Sequence, residues 1–294
     1  MGIPLGLADG CCSPRGNPSA SRKSRQLFDT RKYGTTMMRI IALFLPVVLL
    51  VVCNTAVAAP PPGYHLVWQD DFSGTRLDQS KWFVSTAVRD SAQQTADAVQ
   101  IRPWELRIRT YTRDGRHYTG FINTRGRFMA TYGYFEARIN FHDAPGTHSS
   151  FWLYTLTIGN VIGDPQHSGT EIDIMEHRAT DASGKDIRNL ASMNLHWDGY
   201  GPDHKHLGRN WVAPVSLNDS WHTYAVLWTR AGYVFYIDDV ERWRSNLAVS
   251  QAPEEIHLTC EVNGWAGQPP VNGYPPRRST PYGMDVNWVH VWQE

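Results

Sequence analysis

Glu171-Ile172-Asp173-Ile174-Met175-Glu176 reads as a β-strand with one acidic and one apolar face. Alternate side chains of a strand share a face, so Glu171 and Asp173 point one way and Ile172 and Ile174 the other. Regular alternation would set Met175, not Glu176, beside the acids. If Met175 is the extra residue of a β-bulge, Glu176 turns back onto the acidic face. Three carboxyls then stand above a sheet whose other face carries isoleucines into a core. Like charges crowded on one face destabilise a sheet, so the arrangement calls for a purpose.

The neighbouring sequence supports strands on both sides. Runs rich in Val, Ile, Tyr, Phe and Trp recur at short spacing between Gly, Pro, Asn and Asp. Examples are Leu106–Tyr111, Gly133–Phe141, Ser149–Thr155, Ala191–Trp197, Thr223–Thr229, Ile256–Val262 and Val286–Trp292. Tyr233–Ile237, then Asp238-Asp239 and Val240, reads as a hairpin with a tight acidic turn. Helical periodicity over ten or more residues is absent. Many short strands without repeats or a linker predict one all-β domain, a sandwich or jelly roll. Loops at 157–169, 198–220 and 263–283 are expected to rim one side of it.

Two glutamates on such a strand can cooperate. Four strand steps of ~3.3 Å separate their backbones by ~13 Å. Side chains leaning inward bring the carboxyls toward the ~5–5.5 Å used by retaining glycosidases. Glu171 would then attack an anomeric carbon, and Glu176 would protonate the leaving oxygen. Asp173 between them would keep their pKa values apart by like-charge repulsion. The competing readings are a solvated polar face of an edge strand, or a calcium or other metal site helped by His177 and His196.

The chain divides by composition. Met38-Arg39, the apolar run Ile40–Val52 and the ending Ala56-Val57-Ala58-Ala59 have the three parts of a secretory signal peptide. The apolar run is shorter than the ~20 residues that span a bilayer as a helix. Residues 37–59 are therefore expected to be a cleaved signal, with secreted or periplasmic localisation. Cys53, closing Leu50-Val51-Val52, offers a lipid-anchor alternative that its bulky preceding Val disfavours. Residues 1–36, rich in Ser, Arg and Gly, read as disordered or as an over-extended start, leaving 60–294 as a single domain. That domain carries 21 Lys/Arg against 26 Asp/Glu, a net of −5. No basic stripe is left for a nucleic acid backbone. Only Cys260 remains of the cysteines, which excludes a disulfide framework and a cysteine-rich zinc site. The domain must rest on its own core, and its length suffices.

The residues then carry a resemblance. E-I-D-I-M-E resembles the active-site signature of glycoside hydrolase family 16, in the form with one inserted residue seen in laminarinase-like and galactan-cleaving members. Tyr64–Phe72 (YHLVWQDDF) with Leu77-Asp78 and Lys81-Trp82 is similar to the family's opening strand. Tyr132–Ile139 (YGYFEARI) and Ser150–Leu153 follow in family order, as do Trp221–Tyr224, Tyr236–Asp239 and Val286–Trp292. The resemblance implies a jelly-roll sandwich of two curved antiparallel sheets with a glycan cleft on the concave face. It also implies that Glu171 is the nucleophile, Asp173 the assisting acid and Glu176 the acid/base. Many members bind calcium on the convex side through an aspartate of the last strand. Here Asn287 stands at that place, which removes one charge from a structural calcium site without closing it; no cofactor is required.

Glycan clefts use aromatic rings as platforms and polar groups for hydroxyls. Trp152 shares a face with Ser150 and His148, and its family position favours the cleft over the core. His196 and Asn194 alternate against Leu195 and Trp197; a histidine at this place in laminarinase-like members lies near the acid/base. Glu261 and Trp265 would close the far end, and Arg138 and Trp104 are further substrate-binding candidates. The expected function is that of a monomeric retaining endo-glycosidase acting on β-1,3 or mixed-linkage glucan. The alternatives are a galactan (agar, porphyran, carrageenan), a transglycosylase, or a non-catalytic glycan-binding module. An anionic galactan would need cations at the cleft, and Lys205 and Arg209 are the ones expected there.

Overall fold

Strands whose every second residue is apolar must bury that face against another sheet, and two stacked sheets satisfy both. The computed structural model describes residues 60–294. The expected leader 37–59, Cys53 and the segment 1–36 lie outside the described residues. A seven-stranded sheet runs in the order Lys205–Val212, Leu190–Trp197, Glu171–Arg178, Thr147–Tyr154, Glu255–Val262, Phe121–Asn123, Phe83–Val84. The facing sheet runs Val240–Ser245, Gly232–Ile237, Trp221–Thr229, Gly133–His142, Gly283–Gln293, Glu105–Arg109, Val99–Arg102, with His65–Asp70 also paired to Gly283–Gln293. All pairings within these two sheets are antiparallel.

The core lies between them. Phe151, Leu153, Ile172, Met193 and Leu258 of the first sheet meet Phe135, Ile139, Phe141, Val226 and Val289 of the second, all buried. Cys260 is a fully buried member of the same cluster. The expected tight turn closes a hairpin at Asp238 and Asp239, whose φ values are 50° and 66°. Among the described residues helix is confined to Pro165–Ser168 and two single turns. The fold is the expected all-β sandwich.

Two features were not foreseen. Val88–Arg89, Ala92–Gln94, Arg116–Thr119 and Tyr111–Arg113 form a third, small sheet containing one parallel pair. Ser91 N donates to Val262 O at 3.0 Å and fastens it beside the seven-stranded sheet. Part of the loop expected over 198–220 is instead the edge strand Lys205–Val212. Its residues are largely exposed on both faces, so no apolar alternation marks it.

Candidate active site

The acidic strand is bulged where the carboxyl pattern requires it. Asp173 pairs with Asn194 and Glu176 with Ser192, so Ile174 and Met175 together stand opposite Met193 alone. Against the strand on its other side, Met175 pairs with Phe151 and Asp173 with Trp152, leaving Ile174 as the unpaired residue. The extra residue on that side is thus Ile174 rather than Met175. Both side chains enter the core, and Glu176 emerges on the face of Glu171 and Asp173. Glu171, Asp173 and His196 present ligand-type atoms within 4.8 Å of one another.

The neighbours divide the protons among the three carboxyls. Burial, reinforced by the Asp173 carboxyl, pushes Glu171 up to about 8. Burial and the charge of Glu176 push Asp173 well above the usual carboxylate range. Its Oδ2 is buried and lacks a hydrogen-bond partner; His196 Nε2 lies 3.3 Å away without hydrogen-bond alignment. Glu176 goes the other way. Burial opposes its ionisation, but the His148 ring at 3.0 Å and the Asn194 amide outweigh that and hold its pKa below the ordinary value. Burial alone would also strip His148 of its proton, yet Glu176 and Glu261 hold it on. Below about pH 8 the charge therefore rests on Glu176, the reverse of an ionised Glu171 beside a protonated Glu176.

Asn194 reaches Glu176 because the next strand gives way. Gly208 pairs with Asn194, and a Cβ there would overlap Asn194 Oδ1. His148 is the main residue missed in the sequence. Its alternation with Ser150 and Trp152 was the signal, and it sits on the Glu176 carboxyl.

A cleft of about 530 Å³ opens at the Glu171 end, walled by Trp152, Tyr154, Arg89, Arg125, Tyr200 and His257, among others. Trp152 donates from Nε1 to Thr259 Oγ1 at 3.2 Å and packs on the His257 ring, centroids 4.2 Å apart. Burial pushes His257 down to about 4, although Glu255 at 2.8 Å pulls the other way. Arg125 grips the same buried Glu255 through Nε and Nη2. Arg89 comes from the small sheet to pair with Glu261 at 2.9 Å. Neither arginine was foreseen: Arg89 crosses from another sheet, and Arg125 follows Phe121–Asn123, which two strands separate from the acidic strand and which is distant in sequence.

At the Glu176 end, Trp265 is half-exposed and stands edge-on to His148, centroids 4.9 Å apart. Arg178 lies 3.2 Å above the Trp265 ring, a cation–π contact. Glu261 is nearly buried between Arg89 and His148. Lys205 is bonded to Asp198 at 2.7 Å. Arg209 pairs with core-facing Met193 and so projects from the face away from the carboxyls.

Arg138 and Trp104 do not line the cleft, which corrects the expectation for both. Arg138 lies on the outer face of the opposite sheet, bonded to Asn287 Oδ1 at 3.2 Å and above Trp221. The Trp104 carbonyl accepts from Asn287 Nδ2 at 2.8 Å. Both polar atoms of Asn287 are thus engaged, and Asp71 Oδ1 accepts from His290 Nε2 at 2.7 Å. His177 belongs to the core side, bonded to Asp143 at 2.8 Å.

Comparison with known proteins agrees with the geometry. The chain is 26% identical over 269 residues to glucan endo-1,3-beta-glucosidase A1 of Niallia circulans, covering 79% of this chain and 38% of that protein. It is 30% identical over 199 residues to kappa-carrageenase of Pseudoalteromonas carrageenovora, covering 60% and 47%. The chain thus spans less than half the length of these two relatives. A solved structure described as a Bacteroides ovatus mixed linkage glucan GH16 in complex with G4G4G3G product superposes with a TM-score of 0.62. It shares 22% identity and covers 76% of this chain and 99% of that one. Residues 80–290 match the sequence profile of glycosyl hydrolases family 16, and the chain belongs to that family.

Proposed function

We propose that the chain is a secreted, monomeric endo-glycosidase that cleaves β-linked polysaccharide with retention, acting on β-1,3 or mixed-linkage glucan. The observation that carries this reading is the bulged strand, which turns Glu171, Asp173 and Glu176 to one face of the sheet, with Glu171 in the wall of the cleft. Glu171 forms the bond to the anomeric carbon while the glycosidic C–O bond breaks, and Glu176 gives its proton to the leaving oxygen. Glu176 then takes a proton from water, whose oxygen attacks the anomeric carbon and releases Glu171. Asp173 assists between them. The productive form has one proton moved from Glu171 to Glu176, so kcat/KM is bell-shaped with the lower limb set by Glu176 and the upper by Glu171. No cofactor enters these steps.

The names of the glucan-cleaving relatives support the substrate. A galactan bearing anionic groups is the second reading, favoured by Arg89 and Arg125 in the cleft wall. A non-catalytic glycan-binding module would have no use for the intact acid pair. Export rests on the signal-like residues 37–59.

The test is a panel of laminarin, lichenan, agarose and carrageenans, with products sized and the first anomer read by proton NMR before mutarotation. A β-linked substrate should release β-product first. Glu171→Gln and Glu176→Gln should each lower turnover by several orders of magnitude with the fold intact, and Asp173→Asn by less. First release of α-product, or near-wild-type activity in either glutamate variant, would reject the roles of Glu171 and Glu176.

A further inference from the structure

The loop after the strand Leu190–Trp197 is fixed more firmly than its exposure suggests. Asp198, with φ 63°, is buried; its Oδ1 accepts from Gly163 N at 2.8 Å and its Oδ2 from Lys205 Nζ at 2.7 Å. Gly199 and Gly159 have φ 73° and 75°, and a Cβ on Gly159 would stand 2.6 Å from Gly199 Cα. Two loops therefore touch backbone to backbone, an approach open only to glycine. The next residue is Tyr200. Its ring lies 5.0 Å from that of His204 and 6.1 Å from that of His196. Tyr200 lines the same cleft as Glu171, near enough for the Glu171 carboxyl to hold its hydroxyl proton on.

We propose that Tyr200 is the positioning residue for Glu171. Its hydroxyl donates to one carboxylate oxygen and leaves the other free to meet the anomeric carbon. The inference rests on the reading that Glu171 is the attacking group. Tyr200 keeps its proton throughout: Glu171 makes and later releases the bond to carbon, and the protons pass between Glu176, the leaving oxygen and water. Burial and the Glu171 carboxyl push the Tyr200 pKa far above its ordinary value, which suits a group that only donates. A positioned donor of this kind acts on the bond-making step more than on binding, because it orients an enzyme group and need not touch the sugar. The two glycines and Asp198 supply the rigidity this requires.

The test compares wild type with Tyr200→Phe, which keeps the half-exposed ring and its packing on His204. Each is assayed across pH on the polysaccharide that wild type degrades. Wild type is also inactivated with a 2,4-dinitrophenyl 2-deoxy-2-fluoro-β-glycoside of the matching sugar, and the labelled peptide is identified. The variant should melt with wild type, lose about 10- to 100-fold in kcat and keep KM within about twofold, as expected for a lost hydrogen bond to a charged group. Its upper pH limb should move to higher pH, because an ionised Glu171 has lost a donor. An unchanged kcat, or a rise in KM alone, would overturn the proposal and leave Tyr200 a sugar platform. Label on a carboxylate other than Glu171 would defeat the underlying reading whatever Tyr200 does.

Discussion

Replacing His148 with Ala should move one limb of the pH profile and leave the other in place. The ring sits 3.0 Å from Glu176, and both side chains are about one-tenth exposed, so water screens the contact little. A charge-assisted hydrogen bond of this kind is worth ~1.5–3 kcal/mol, which is ~1–2 pKa units at 1.36 kcal/mol per unit. Glu176 is a carboxyl held below its ordinary value chiefly against its own burial, so losing His148 lets its pKa rise. The lower limb of kcat/KM, which reports the free enzyme, should climb by ~1–2 units. The upper limb, set by Glu171 at about 8, should hold its position. The bell therefore narrows from the acid side, while the fraction with Glu171 ionised and Glu176 protonated grows. The assay is initial rate at low substrate between about pH 3 and pH 9. A stationary lower limb, or an upper limb that moves instead, would refute the assignment of the low pKa to Glu176.

Two further predictions concern the support of the site. Gly208→Ala should push Asn194 off Glu176, since the new Cβ overlaps its amide oxygen; activity should fall toward that of Asn194→Ala with little change in melting temperature. A Gly208→Ala variant as active as wild type would count against the close approach. Glu254 is fully buried and its pKa is pushed up to about 8 by burial, against an ordinary value near 4.5. Between those values the unfolded chain has lost the proton that the folded chain keeps, so stability falls as pH rises and the loss is complete above about 8. Glu254→Gln should flatten the decline of melting temperature over that window; parallel curves for the two proteins would disprove it.

What could be read in advance was what the chain repeats locally. The acidic strand was legible because two glutamates, an aspartate and two isoleucines obey one periodicity that only a bulge can reconcile. His196 and Asn194 were legible for the same reason, since alternation sets them against core-facing Leu195 and half-buried Trp197. Arg138 and Trp104 were misplaced because local pattern says which face a strand residue takes, not which sheet carries it, and Trp104 lies in the turn between Val99–Arg102 and Glu105–Arg109. Arg138 faces away from the core as expected of a polar residue, but on the other side of the sandwich. Arg89 and Tyr200 reach the cleft through a small sheet and a glycine contact, and both depend on partners distant in sequence. The edge strand Lys205–Val212 was hidden because it buries almost nothing.

The bulge also bears on how such a strand can change over evolutionary time. With Ile174 and Met175 counted together against Met193, the strand carries its acids as though it were one residue shorter. Losing one of the pair leaves Glu-x-Asp-x-Glu, which regular alternation already sets on a single face. At this one point a single-codon insertion or deletion keeps all three carboxyls turned toward the cleft. Between Glu171 and Asp173 the same event would reverse the parity of the acids and send one of them into the core. The place where this strand's ladder is irregular is thus a hinge at which its length can vary while the chemistry stays in register.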